Sequence, residues 1–202
     1  MVLTYRFTAL VDACSLANVL GRNTLLSLAE TGLFRVRWSR AILDETERAL
    51  CGMFEKRGDL AEEARTKSRR AITAMGRAFE PAMVEPVASA LVESLTAELP
   101  DPNDAHVVAA AITCQASTIV TENLRDFPAE VLDRFSIGAL STDRFLADTI
   151  DLDHAAAGDA ITRMRTRLQR PELTRDELLL RFEKNGFIET AGLLRTVPGL
   201  LR

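Results

Sequence analysis

Leu10-Val11-Asp12-Ala13-Cys14 is the stretch whose reading decides the fold. An apolar run from Phe7 to Val11 delivers one carboxylate to its carboxyl end and then gives way to a helical pattern, so it reads as a buried strand followed by a crossover helix. That helix is expected over residues 15–31, with Ser15 as N-cap and Gly32 just past the end as C-cap. Phe34-Arg35-Val36-Arg37-Trp38 alternates apolar and basic residues with period two and predicts a short second strand, parallel to the first. Strand, crossover helix and parallel strand together define the α/β class.

The following segments extend this pattern. Ser39 is positioned to cap a helix over about 40–57, whose apolar stripe is Ile42, Leu43, Ala49, Leu50, Met53 and Phe54. Glu45 lies on the line of that stripe, whereas Asp44 and Arg48 are expected to pair on the outer side. A charged helix over 60–79, ended by Pro81, presents a solvated face; residues 87–97 are helical, and Leu99 to Asn103 is a loop. Asp104 to Gln115 is a helix of small residues, Ser117 to Thr121 a strand, and Glu122 to Pro128 a polar turn. A short helix near 129–135 precedes a last strand at Ile137 to Leu140, and Ser141-Thr142-Asp143 starts another helix. From about 150 onward the pattern is helical only, at 151–169, 174–184 and 187–195, interrupted at Arg170-Pro171 and Asn185-Gly186. Thr174 with Glu177 three residues on forms a capping box.

Composition narrows the function classes. With 202 residues, 47% of them hydrophobic, the chain can bury a sizeable core, and few aromatics among many Leu and Ala favour helices on a modest sheet. A net charge of -4 lacks the basic surplus of a dedicated nucleic-acid binder, so an enzyme acting on nucleic acid would need local basic patches. Cys14, Cys51 and Cys114 are odd in number, far apart and without CxxC or Cys/His spacing, which supports neither a disulfide framework nor a zinc site; reduced thiols are expected. The segment MVLTYRFTALVDAC has no cleavable-leader pattern, and the longest apolar run, Val107 to Cys114, is far short of the ~20 residues of a membrane span. A cytoplasmic location without membrane association is expected.

Four acids share one physical peculiarity: each sits beside apolar sequence, where a lone charge is costly to desolvate. Asp12 follows Leu10-Val11, Glu45 interrupts a core stripe, Asp104 lies one turn before Val108 on the buried side of its helix, and Asp126 occupies the turn after the 117–121 strand, near Asn123. In an open α/β sheet, strand ends and the first turns of the following helices converge on one crevice, so all four can meet. Crowded carboxylates repel unless a cation neutralises them, and an all-oxygen set selects Mg²⁺ or Mn²⁺. His106 and His154 are expected to be structural or solvated.

VDACSLANVL, ILDETERAL, LPDPNDAHVVAAAI and STIVTENLRDFP resemble, in order, the four acidic motifs of PIN-domain ribonucleases, and look most like a bacterial VapC-type toxin. The resemblance covers roughly residues 8–145, and the segment RLQRPELTRDELLLRFEKNGF is similar to the helical tail of one subgroup. It implies a PIN-like three-layer domain over residues 1–147, with a central parallel sheet flanked by helices, and a C-terminal helical extension over 148–202. It implies that Asp12, Glu45 and Asp104 are metal-binding acids of a Mg²⁺- or Mn²⁺-dependent endoribonuclease acting on single-stranded or structured RNA. Either Asn123 or Asp126 completes the set, because many members place an Asp where Asn123 stands; one ion or two depends on which. A cognate antitoxin and a homodimer are further implied. Arg22, Arg40 and Arg125 are candidate substrate-holding bases.

Two competing readings come from other classes. A non-catalytic PIN-like module that binds protein or RNA would typically have lost Asp12 or Asp104, and both are present. An aspartyl phosphatase of the DxD type wants an acid where Cys14 stands, and a phosphotransfer receiver wants a late Lys, whereas residues 68–183 contain none.

Overall fold

The structure, a computed structural model, describes residues 7–167 and 173–196; the expected helix break at Arg170-Pro171 lies outside them. Five short strands, β1 (Thr8–Val11), β2 (Arg35–Ser39), β3 (Met83–Val84), β4 (Thr118–Val120) and β5 (Gly138–Leu140), form a parallel sheet in the order β3-β2-β1-β4-β5. The chain winds outward from β1 through β2 to β3 on one side and continues through β4 to β5 on the other. The order therefore reverses between β1 and β4, and their carboxyl ends flank the crevice where ligands of open α/β sheets bind.

Burial explains the strands. Ala9, Leu10, Val11, Ile119 and Val120 are fully buried, as the continuous apolar runs of a sheet covered on both faces require. Register pairs Val11 with Val120, which puts Asp12 and Thr121 side by side just beyond the paired residues. β3 is not announced by the sequence, because two residues between Pro81 and Pro86 are too few for any alternation to be read.

With the sheet, the unit formed by residues 8–17 and 36–140 contains helices α1 (Ala13–Ala17), α3 (Arg40–Lys56), α4 (Ala61–Ala78), α5 (Ser89–Thr96), α6 (Ala105–Thr113) and α7 (Ala129–Leu132), while α2 (Val19–Glu30) belongs to the other unit. The Ser39 hydroxyl caps α3 by accepting from the Ile42 N–H at 3.3 Å. The buried stripe of α3 is Ile42, Leu43, Thr46 and Leu50; Ala49, expected inside, is exposed. Thr46 takes the core position because its hydroxyl donates to the Ile42 carbonyl at 2.8 Å, which leaves no unpaired polar group. Arg48 pairs with Glu45 at 3.7 Å, not with Asp44 as the helical spacing suggests. In α6, Val107 to Ala111 are wholly buried, the close packing that small side chains permit. α4 buries only Ala64, Ser68, Ile72 and Met75 and leaves its charged residues to solvent.

The second unit comprises, among the described residues, 7, 18–35, 141–167 and 173–196. Its described helices are α2 (Val19–Glu30), α8 (Thr142–Leu152), α9 (His154–Arg167), α10 (Arg175–Lys184) and α11 (Ile188–Thr196). The helix expected over 15–31 is in fact divided at Asn18, whose side chain accepts from the Gly21 N–H at 3.0 Å and caps α2. Ser15 is therefore not a cap; it lies inside α1, and its hydroxyl donates to the Val120 carbonyl at 3.2 Å. Gly32, at φ 79°, adopts the left-handed conformation that ends α2 just after its C-cap, Thr31. Phe7, Phe34 and Phe145 form a ring cluster with centroids 4.9–5.9 Å apart. Asp143 anchors α11 by accepting from the N–H groups of Glu189 at 2.8 Å and Thr190 at 2.9 Å, while Thr174 and Glu177 complete the expected capping box on α10. Among the described residues, no helix is long and apolar enough to cross a membrane.

Candidate active site

Asp12 follows the last residue of β1 and is 4% exposed. Its Oδ1 accepts from the Ala13 N–H at 2.6 Å; its Oδ2 accepts from the Thr121 hydroxyl at 2.8 Å and from the Cys14 thiol at 3.1 Å. Both oxygens of a buried carboxylate are thus held by donors, which keeps a charge tolerable away from bulk water. Thr121 is itself placed by β4, and its hydroxyl also accepts from the Asn123 N–H at 3.1 Å. Cys14 sits 3.3 Å from the Thr121 hydroxyl and accepts from the Glu122 N–H at 3.2 Å. Burial first, and the neighbouring Asp12 charge second, push the Cys14 thiol up to about 11, so at neutral pH it acts as a proton-bearing donor to Asp12 and not as a nucleophile.

Asp104 stands at the amino-terminal end of α6. Its side chain makes no capping hydrogen bond; in the Pro102–Asp104 turn just before, the capping acceptor is Asp101, which takes the Asn103 N–H at 2.9 Å. The Asp104 carboxylate is consequently not consumed by local structure. Burial pushes it up to about 7, and the charges of Asp12, Asp101, Asp126 and Glu45 add to the effect in that order. Four acids therefore share one electrostatic environment around Asp104, which includes Asp101 and three of its expected companions.

Glu45, on the second turn of α3, reaches His106 of α6, with Oε1 3.1 Å from Nε2. His106 is accordingly part of the site's surroundings and not a solvated residue; its Nδ1 is buried without a partner among the described residues. Asp126 is half-buried at the end of the Leu124–Asp126 turn, and Asn123, which opens that turn, is exposed. Arg40 and Arg125 are exposed, whereas Arg22 is 8% exposed within α2 of the other unit and is not a surface base. The contributions of Thr121, Cys14 and His106 could not be found by pattern, since the partners that reveal them lie 61–109 residues away in sequence, apart from the Asp12–Cys14 bond.

Among the described residues, no three His, Cys, Asp or Glu side chains lie close enough to share one ion. The acids nonetheless suit a hard divalent cation, because Mg²⁺ keeps several waters and is commonly held through only one or two carboxylates. The observation favouring such a cation is the charge crowding at Asp104, which positive charge would relieve.

Fold and acids define the class. The chain belongs to the PIN domain family, which it matches over residues 8–125. Residues 142–196 match a second family, the VapC50 C-terminal domain. The particular relative is a protein of Mycobacterium tuberculosis named "Putative ribonuclease VapC50", 41% identical over 76 residues, which are 38% of this chain and 45% of that protein. The match thus spans less than half of the relative's length. No solved structure matches the chain.

Proposed function

We propose that this chain is a Mg²⁺- or Mn²⁺-dependent endoribonuclease that hydrolyses single-stranded or structured RNA and acts as the toxin of a toxin–antitoxin pair. The observation that carries this reading is the Asp104 carboxyl, which makes no capping hydrogen bond and is raised first by burial and then by Asp12, Asp101, Asp126 and Glu45, at the reversal point of a PIN-family sheet. A carboxyl withdrawn from solvent beside other acids at such a cost is expected where a cation and a phosphodiester are to be handled. The relative's name and the second family match support the toxin assignment.

Asp12 and Asp104 would hold the cation, with Glu45 and Asp126 beside them; Asn123 offers an amide oxygen but no charge. When bound, the ion supplies a water of lowered pKa and polarisation of the scissile phosphate. Glu45 or Asp126 accepts the proton of the attacking water, and Arg40 and Arg125 hold backbone phosphates against the negative net charge. The site acids fall within residues 1–147, proposed as the nuclease domain, and 148–202 serve as an extension outside the chemistry. A cognate antitoxin that covers the cleft, a homodimer and a cytoplasmic setting complete the proposal.

The test is incubation of the purified protein with end-labelled single-stranded RNA. Cleavage is expected with Mg²⁺ or Mn²⁺ and is expected to vanish in excess chelator; cleavage that survives chelation sinks the metal-dependent reading. Thr121→Val should lower cleavage by about tenfold, in the range seen when a group orienting a metal ligand is lost. Thr121→Ser, which keeps the hydroxyl to Asp12, should restore it, and an equal loss in both variants would remove the orienting role.

A further inference from the structure

The proposed chemistry leaves unused a cavity of about 400 Å³ between the start of α3, the end of β3 and α5, with His106 in its wall. We propose that this cavity is a nucleobase subsite: it takes one unstacked base of single-stranded RNA whose pairing edge carries an amino group, that is adenine, cytosine or guanine, in preference to uracil. The proposal rests on the ribonuclease reading for its choice of ligand.

Three features favour that occupant. The cavity falls within the 300–1,000 Å³ usual for small-molecule sites, and Val84, Val87 and Val92 supply the apolar walls that a flat ring needs once it leaves the stack. It is joined to the acids: His106 lies two residues after Asp104, and its Nε2 is 3.1 Å from Glu45, so a base held here keeps its own backbone near the carboxylates. The polar lining is selective. Glu85 and Glu93 are acceptors only, which suits an amino group, as when an acidic side chain accepts from cytosine N4. Uracil presents a single N–H between two carbonyl oxygens, and those oxygens would face carboxylate charge. Arg40, at the first turn of α3, offers a guanidinium in the lining for the attached phosphate, and His106 Nδ1 adds a buried nitrogen with no partner among the described residues. An acidic peptide, by contrast, would meet two carboxylates.

The experiment is a titration of the full chain, free of metal, with AMP, CMP, GMP and UMP, followed by the imidazole resonances of His106 and His154, the only two histidines. AMP, CMP and GMP are expected to move the His106 signals saturably and leave those of His154 in place, with UMP at least about tenfold weaker, a difference of ~1.4 kcal/mol. Val92→Trp, which fills the cavity, should abolish the response, and Val87→Phe provides a second block if the first variant folds poorly. Glu93→Gln should narrow the gap between UMP and the other nucleotides. Equal binding of UMP, parallel movement of His154, or a response unchanged by both blocking variants overturns the subsite. A response to a peptide partner with none to nucleotides overturns it as well. Because no cleavage is read, the two proposals fail separately: nucleotides that bind a protein unable to cut RNA would refute the nuclease reading alone, and silent nucleotides on an active nuclease would refute the subsite alone.

Discussion

Asp12→Asn is expected to lower cleavage of single-stranded RNA by more than ~100-fold in single-turnover assays while leaving the melting temperature close to that of the unaltered protein. The substitution is nearly isosteric; the amide oxygen can still accept from the Ala13 N–H, and the amide nitrogen can donate to the Thr121 hydroxyl oxygen in place of the bond that Asp12 accepts, so the turn between β1 and α1 keeps a bond on each side. What it loses is the charge. Removing groups that merely orient a metal ligand already costs about 10–100-fold, so loss of the ligand's own charge should cost more. Cys14 sharpens the expectation: its proton is drawn to Asp12 Oδ2, and with an amide in that place the thiol loses its charged acceptor without gaining a catalytic role. Cleavage at the unaltered rate by the Asp12→Asn protein would exclude the proposed site outright. A protein that melts far lower would instead show that Asp12 is needed to form the turn, and Thr121→Val would then carry the test of the carboxylate's role.

Asp12 was legible because it ends an apolar run, and a charge in that position is costly enough to need a reason. Glu45 is legible for a related cause, although the stripe beside it differs in detail: Thr46 occupies the core place that helical spacing assigns to Ala49. A threonine can do so because its hydroxyl bonds back to the preceding turn, a satisfaction that hydrophobic patterning does not register. The same blindness hid Asn18, whose side chain ends one helix and starts the next inside an unbroken helical pattern. Arg22 looked like a surface base yet is buried in α2, since spacing on a short helix does not say what covers it. Long-range pairs are the remaining class. Thr121 is an ordinary strand residue until the register of β1 on β4 puts it beside Asp12, and His106 is an isolated histidine until α6 meets α3 at Glu45. Those facts belong to sheet order and helix packing, which no local window contains.

Asp104→Asn should separate function from stability, in opposite directions. Cleavage should fall as it does for Asp12→Asn, because the carboxylate at the head of α6 is lost. The metal-free protein, however, should become more stable at pH 8, with a melting temperature higher by ~2–4 °C, the scale of about 1 kcal/mol in a chain of this size once solvent screening of a half-buried group is allowed for. The reason is that the Asp104 carboxyl titrates near 7 in the folded protein against 3.8 ordinarily, chiefly through burial and then through Asp12 and the other acids. A raised carboxyl binds its proton more tightly in the folded state than in the unfolded one, so its ionisation destabilises the fold progressively as pH rises from about 4 to about 7 and fully above that. Asparagine, neutral at every pH, lacks this penalty. The gain from Asp104→Asn should therefore be greatest above pH 7, shrink as pH falls, and vanish near pH 4, in melts recorded across that range. Adding Mn²⁺ should raise the melting temperature of the unaltered protein at pH 8 and reverse the order of the two, since a cation bound only to the folded state stabilises it and the variant has lost a ligand. A variant less stable than the unaltered protein at pH 8 without metal would mean that the Asp104 carboxylate is held by favourable bonds and not crowded by its neighbours. The electrostatic basis for a cation at this crevice would then fall, whatever the variant did to cleavage.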